Sequence, residues 1–146
     1  KSSKKNFLKK MGANIVLAHK EFTDVDGLSL QKIKYSGIID SVGEKLISTA
    51  SRQLVNKGKI ISVGMMSNPY SNLNLTPFIL RGIELVGLHV ESFTNNERQK
   101  IWKKIELFSK NRNFTKIYKL IKLKNISILL KKFSSKNRIG RFVIKI

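Results

Sequence analysis

The feature that most constrains the fold of this chain is an alternation. Short β-branched runs that close on small residues are separated by stretches with helical apolar spacing. Gly37-Ile38-Ile39-Asp40-Ser41-Val42-Gly43 reads as an apolar strand running into a small, polar turn, and Lys59-Ile60-Ile61-Ser62-Val63-Gly64 repeats the design. Residues 15–17, 83–90, 117–123 and 141–146 also read as strands. Between them, residues 44–55 place Leu46, Ile47, Ala50 and Leu54 on one helical face, and Gly58 separates that helix from the next strand. Residues 3–11 form a short helix with Ser2 or Ser3 as N-cap and Gly12 as stop. Thr76 caps a short helix with Pro77 in its first position and Gly82 at its end. Thr94 caps a longer helix, residues 95–109, with Ile101, Trp102, Ile105 and Phe108 facing inward. Ile126, Leu129, Leu130 and Phe133 mark a last helix, and Asp26-Gly27 marks a turn. This order implies an α/β fold built on a mostly parallel sheet with helices on both faces.

Several functions are excluded by what is missing. The chain has 146 residues and no cysteine, so disulfides, thiolate metal sites and cysteine nucleophiles are ruled out. His19 and His89 are isolated and make no metal site. No apolar run approaches the roughly 20 residues that span a bilayer. An intracellular, cytoplasmic, metal-free protein without a membrane partner is expected. The formal charge of +20 raises the question of a nucleic-acid partner. Along the sequence, however, the lysines are scattered: Lys4, Lys5, Lys9 and Lys10, then Lys57 and Lys59, then Lys103 and Lys104, then Lys131 and Lys132. Aromatics are not interleaved with them as a base-stacking platform requires. This scatter reads as compositional drift and argues against nucleic acid, although part of the excess would help attract a polyanionic cofactor.

In open parallel sheets, ligands lie at the carboxyl ends of the strands. Gly43 and Gly64 stand at two such ends, where the lack of a side chain admits close approach. Yet no G-x-G-x-x-G or P-loop sequence occurs in these residues. From the residues alone, the reading stops at an α/β domain with a crevice at its strand ends.

The strand 37–43 resembles the Gly-Ala-Ile-Asp-Thr-Val-Gly stretch of medium-chain dehydrogenase/reductases, and within them the acrylyl-CoA reductase-like quinone oxidoreductases. Leu8-Lys9-Lys10-Met11-Gly12-Ala13, Glu21-Phe22, Pro77-Phe78-Ile79-Leu80-Arg81-Gly82, Asn137-Arg138-Ile139-Gly140-Arg141 and the closing Val143-Ile144-Lys145-Ile146 resemble further segments of that family, in the same order. The resemblance covers nearly the whole chain, and its most specific element is Pro-Phe-Ile-Leu-Arg.

The resemblance implies a partial Rossmann-type, doubly wound parallel sheet whose first strands and Gly-rich turn are missing, with the chain as a C-terminal fragment. It implies that residues 1–110 are the C-terminal part of an NADP-binding domain and that 111–146 return to the catalytic domain. It implies NADPH as cofactor. Lys1 would meet the 2′-phosphate, and Ser41 and Gly43 would line the crevice. Gly64 and Met65 would meet the nicotinamide ribose, with Ile79 near the nicotinamide. Gly87 to Val90 would flank the carboxamide, and Asn137 would close the site. His89-Val90 replaces the family's small polar pair. No residue of this chain is implied to be catalytic, because the cofactor carries the hydride. The substrate would be an α,β-unsaturated acyl thioester such as acrylyl-CoA, or a quinone, and the full-length parent a homodimer. Two alternatives stay open beside this reading: a basic nucleic-acid-binding α/β module, and a decayed remnant without activity.

Overall fold

The computed structural model describes residues 2–23, 27–110, 114–133 and 140–146. Lys1, Asn137 and the Asp26 of the expected turn lie outside them. The chain divides into two compact units: Leu17–Phe93, and Lys1–Val16 together with Thr94–Ile146.

In the unit Leu17–Phe93, the elements are helix α2 (His19–Thr23), strand β1 (Tyr35–Asp40), helix α3 (Glu44–Ser51), strand β2 (Leu54–Ser62), helix α4 (Thr76–Arg81) and strand β3 (Glu84–Gly87). The three strands form one parallel sheet in the order β1-β2-β3. Each crossover between neighbouring strands carries a helix, as parallel pairing requires. Ile47 of α3, Leu54 and Ile60 of β2, and Ile83 are buried, with Tyr35, Ile38, Leu73 and Phe78 packed against them. Ile38 pairs with Ile60 in register, so both project from the face that carries this core. The next residues along, Ile39 and Val86, are exposed, Ile39 to 80 %. The opposite face of the sheet is therefore open. There Lys59 and Glu84, paired across β2 and β3, form a 2.8 Å ion pair that is half exposed on both sides. Such a pair contributes about 0–1 kcal/mol.

Three expected elements have different bounds. The helix expected over residues 44–55 stops at Ser51, because Gln53 turns back to Ala50 O and Leu54 already belongs to β2. Gly58 lies inside β2 and not at its start. Pairing with β1 jumps from Tyr35↔Leu54 to Gly37↔Lys59, two residues along one strand against five along the other. The surplus forms a bulge with Lys57 at φ 58°. A Cβ at Gly58 would fall 2.6 Å from the Leu54 side chain, so only glycine fits there. In α4, Thr76 is the first helical residue and not the cap. Asn74 Oδ1 accepts its N–H at 2.9 Å, Leu75 holds the cap position, and Gly82 closes the helix at φ 57°.

The other unit contains helix α1 (Ser2–Lys10), helix α5 (Asn95–Ser109), strand β4 (Tyr118–Lys122), helix α6 (Ile126–Phe133) and strand β5 (Arg141–Lys145). β4 and β5 form a parallel pair joined by α6. Gly140 at φ 83° turns into β5, and a Cβ there would lie 2.6 Å from Ile117 O. Residues 15–17, expected as a strand, do not form one. No described strand offers a ladder to them, and Ile15 and Leu17 are exposed. The expected inward stripe of α5 is also exposed, with Ile101, Trp102, Ile105 and Phe108 all open to solvent. Their spacing is right for a helix, but among the described residues they do not join the buried core.

Helix α5 owes its start to a reciprocal cap. Glu97 N–H donates to Thr94 Oγ1 at 3.3 Å, while the Glu97 carboxylate accepts from Thr94 N–H at 2.8 Å and from the Thr94 hydroxyl at 2.7 Å. The hydroxyl first, and then the backbone N–H, hold the Glu97 carboxyl below its ordinary value of 4.5. A carboxyl that is the stronger acid when folded contributes its stability above that ordinary value and loses it as pH falls through the lower folded one. The first turn of α5 should therefore lose amide hydrogen-exchange protection in acid while its middle keeps it. Equal protection at Glu97 on both sides of the transition would show that the cap contributes nothing.

Candidate cofactor-binding edge

The carboxyl ends of β1, β2 and β3 are level. Asp40 pairs with Ser62 and Ser62 with Gly87, so Gly43, Gly64 and Gly87 follow along one shared edge of the sheet. The backbone continues the pairing beyond the strands. Val63 N–H donates to Asp40 O at 2.7 Å, Met66 N–H to Ser41 O at 3.2 Å, Ser67 N–H to Val42 O at 3.1 Å, and Leu88 N–H to Ser62 O at 2.9 Å. Gly43 also bridges to Asn68.

The turn after β1 is held by a buried carboxylate. Asp40 accepts from Val42 N–H and Gly43 N–H, each at 3.1 Å, with both of its oxygens engaged. Gly43 then takes φ 78° and Glu44 φ 53°. A non-glycine residue in that region is uncommon and persists where its surroundings fix it. Here Ser71 Oγ donates to Glu44 O at 2.8 Å, and Ser67 Oγ bonds the Glu44 carboxylate.

The glycines differ in what requires them. A Cβ at Gly43 would lie 3.0 Å from Asn68 O, and one at Gly64 would lie 3.3 Å from Ser41 O. A side chain at either would press on the facing loop, and at Gly43 it would also strain a left-handed backbone. Gly87 has open space around the position of a Cβ, and its exposed main chain is open to the approach of a ligand.

The structure thus brings Ser41, Gly43, Gly64 and Met65 into one clasp, with Gly87 beside it. Met65 is 66 % exposed above the clasp. Val90 opens a short 3-10 turn, Val90–Ser92, just past β3. Ile79 lies on α4, 75 % exposed, and takes no part in the clasp. Lys1 and Asn137 fall outside the described residues.

Sequence reasoning missed Asp40, whose Asp-x-x-Gly spacing at a strand end is a recognisable side-chain-to-backbone turn. It also missed Arg81. In the structure, Arg81 collects three main-chain carbonyls: Arg52 O at 2.9 Å, Leu54 O at 3.0 Å and Gln31 O at 2.6 Å. A hollow of about 440 Å³ lies between α3 and the loop after β2, with Lys45, Ser48, Arg52, Asn68 and Tyr70 in its walls. None of the expected site residues lines it.

A level, glycine-bearing edge at the carboxyl ends of parallel strands is the ligand-binding geometry of nucleotide-binding α/β proteins. The zinc-binding dehydrogenase family matches residues 1–107, and the chain belongs to that family. It is 25 % identical over its whole length to the "Probable acrylyl-CoA reductase AcuI" of Escherichia coli K-12 and covers 44 % of that protein. The crystal structure of E. coli K-12 YhdH with bound NADPH superimposes with a TM-score of 0.84 at 25 % identity, over 99 % of this chain and 44 % of that one. Bacillus subtilis YhfP with NAD bound gives a TM-score of 0.85 at 23 % identity over the same shares. The chain thus spans less than half the length of these relatives.

The described residues offer no site for the zinc in the family's name. There is no cysteine, and no cluster of three or more His, Asp or Glu occurs among the described residues. Nor, among those residues, is any helix long and apolar enough to cross a membrane.

Proposed function

We propose that this chain forms one wall of the NADPH pocket of a cytoplasmic oxidoreductase that reduces an α,β-unsaturated acyl thioester, or a quinone. The observation that supports this most directly is the level edge Asp40–Ser62–Gly87 with its clasped loops. NADPH, when bound, supplies the hydride. The chain's own residues bind and orient. Ser41 and Gly43 line the crevice, Gly64 and Met65 offer backbone groups to the nicotinamide ribose, and the main chain from Gly87 to Val90 flanks the carboxamide. Ile79 bounds the nicotinamide end. Lys1 meets the 2′-phosphate, where a cation favours phosphate over hydroxyl, and Asn137 closes the site. In this reading residues 1–110 belong to the cofactor domain and 111–146 to the catalytic domain, and the complete enzyme works as a homodimer on small-molecule acceptors.

The 146-residue chain, which has no Gly-rich pyrophosphate turn, should bind NADPH only weakly and reduce nothing. Calorimetric titration should show no micromolar saturation. Amide NMR shifts at high NADPH concentration should concentrate on Ser41, Gly43, Gly64 and Gly87. Shifts scattered elsewhere would overturn the site, and tight binding would overturn the claim that the wall is insufficient alone.

A further inference from the structure

The scatter of lysines along the sequence is not preserved in space. Of the 29 Lys and Arg, 21 fall in the unit Lys1–Val16 with Thr94–Ile146, together with 2 of the 9 Asp and Glu. That leaves 8 bases and 7 acids to Leu17–Phe93. The formal charges are therefore +19 and +1. Folding brings the two ends of the chain together and gathers nearly the whole excess into one unit. Two acids cannot neutralise it from within. Uniform drift in composition would have charged both units alike.

Within that unit the β4–β5 pair presents an ordered arrangement. Tyr118 pairs with Arg141, Leu120 with Val143, and Lys122 with Lys145, so these six share one face. On the α6 side, Ile126, Leu129 and Leu130 line a hollow with Phe142 and Ile144, and Arg141, at the start of β5, borders it too. Lys122, Arg141 and Lys145 are exposed. Lys122 and Lys145 stand directly opposite each other, a like-charge pairing that disfavours the sheet unless an anion sits between them. Arg141 and Lys145 are four residues apart on one strand, about 13 Å at ~3.3 Å per residue. The result is a short track of cations along a strand pair.

We propose that this face binds the phosphate backbone of duplex nucleic acid without sequence preference, as a function separate from the cofactor edge. Tyr118 is the one aromatic on the face, too little for the stacked platform that single strands use. An anionic membrane is the less suitable partner. Helix α5, the longest in the unit, sets exposed Leu107 among Lys100, Lys103 and Lys104 and so lacks the clean polar face of a surface-lying helix.

The test is fluorescence anisotropy of a labelled 20-base-pair DNA with the whole chain between 50 and 200 mM salt. Binding should weaken at least tenfold across that range. Changing Lys122, Arg141 and Lys145 together to Gln should flatten the slope of log K against log salt by about 3, at roughly 0.9 per phosphate contact. Changing Lys20, Lys32 and Lys34, in the near-neutral unit, removes the same charge and should leave the slope in place. Circular dichroism checks that both variants stay folded. No binding at 50 mM salt overturns the proposal, as does equal weakening by the two triples. Tight binding to phosphatidylserine vesicles without binding to duplex overturns it in favour of a membrane. None of these readouts depends on NADPH.

Discussion

Replacing Arg81 by methionine should destabilise the unit Leu17–Phe93 by about 3–5 kcal/mol, since a charged donor serves three main-chain acceptors, each such bond contributes about 1.5–3 kcal/mol net, and water can replace part of them at this half-buried site. Methionine keeps much of the apolar stem and removes every donor. The carbonyls of Gln31, Arg52 and Leu54 come from the loop before β1, the end of α3 and the start of β2. Losing the guanidinium therefore loosens three segments at once. Lysine should recover only part of the loss, because one ammonium cannot reproduce the planar fork that reaches all three. The sole tryptophan, Trp102, lies in the other unit, so its fluorescence would miss the effect. Hydrogen exchange at the Leu54 and Ile60 amides is the suitable readout. Unchanged protection in the methionine variant would show that these bonds are replaceable by water.

Replacing Asp40 by alanine should cost about 2–4 kcal/mol, because a buried carboxylate that accepts charge-assisted bonds from two neighbouring N–H groups leaves both without a partner. The change should act locally before it acts globally. Val42 and Gly43 amides should exchange first, followed by those of Met66 and Ser67, whose acceptors sit in the released turn. Asparagine should retain about half the effect, having one acceptor oxygen in place of two. If the alanine variant exchanges fastest at Ile60 and not at Gly43, the carboxylate supports the core and not the turn.

Helix starts and stops were the most legible part of the sequence, because they depend on a few neighbouring residues. Thr94 announces α5 and its bounds, and Gly82 announces the end of α4. The amphipathic pattern of residues 126–133 becomes α6. The glycine-closed ends were legible for the same reason, and parallel topology then puts them on one rim. What failed depended on distant partners. Ile15, Val16 and Leu17 have the composition of a strand but no described strand beside them. Ile101, Trp102 and Ile105 have core spacing but stay exposed among the described residues. The overrun of α3 is a different failure. Leu54 continues the helical period of Leu46, Ile47 and Ala50, and only its burial in β2 shows that it serves the sheet. Arg81 could not be read at all, since its three acceptors are carbonyls carrying no side-chain signature.

The bulge in β2 has a consequence for fidelity. β1 carries Ile38-Ile39 and β2 carries Ile60-Ile61, so sliding one strand by a single step would exchange isoleucine for isoleucine on both faces. Side-chain chemistry scarcely penalises that error, although it would turn the whole edge out of alignment. The extra residues around Lys57 and Gly58 sit at one place in the ladder, between the pairings of Tyr35 and Gly37, where a side chain at Gly58 would run into Leu54. In this sheet the correct pairing is remembered by an irregularity of the main chain, and smoothing it away would leave a protein able to fold two ways.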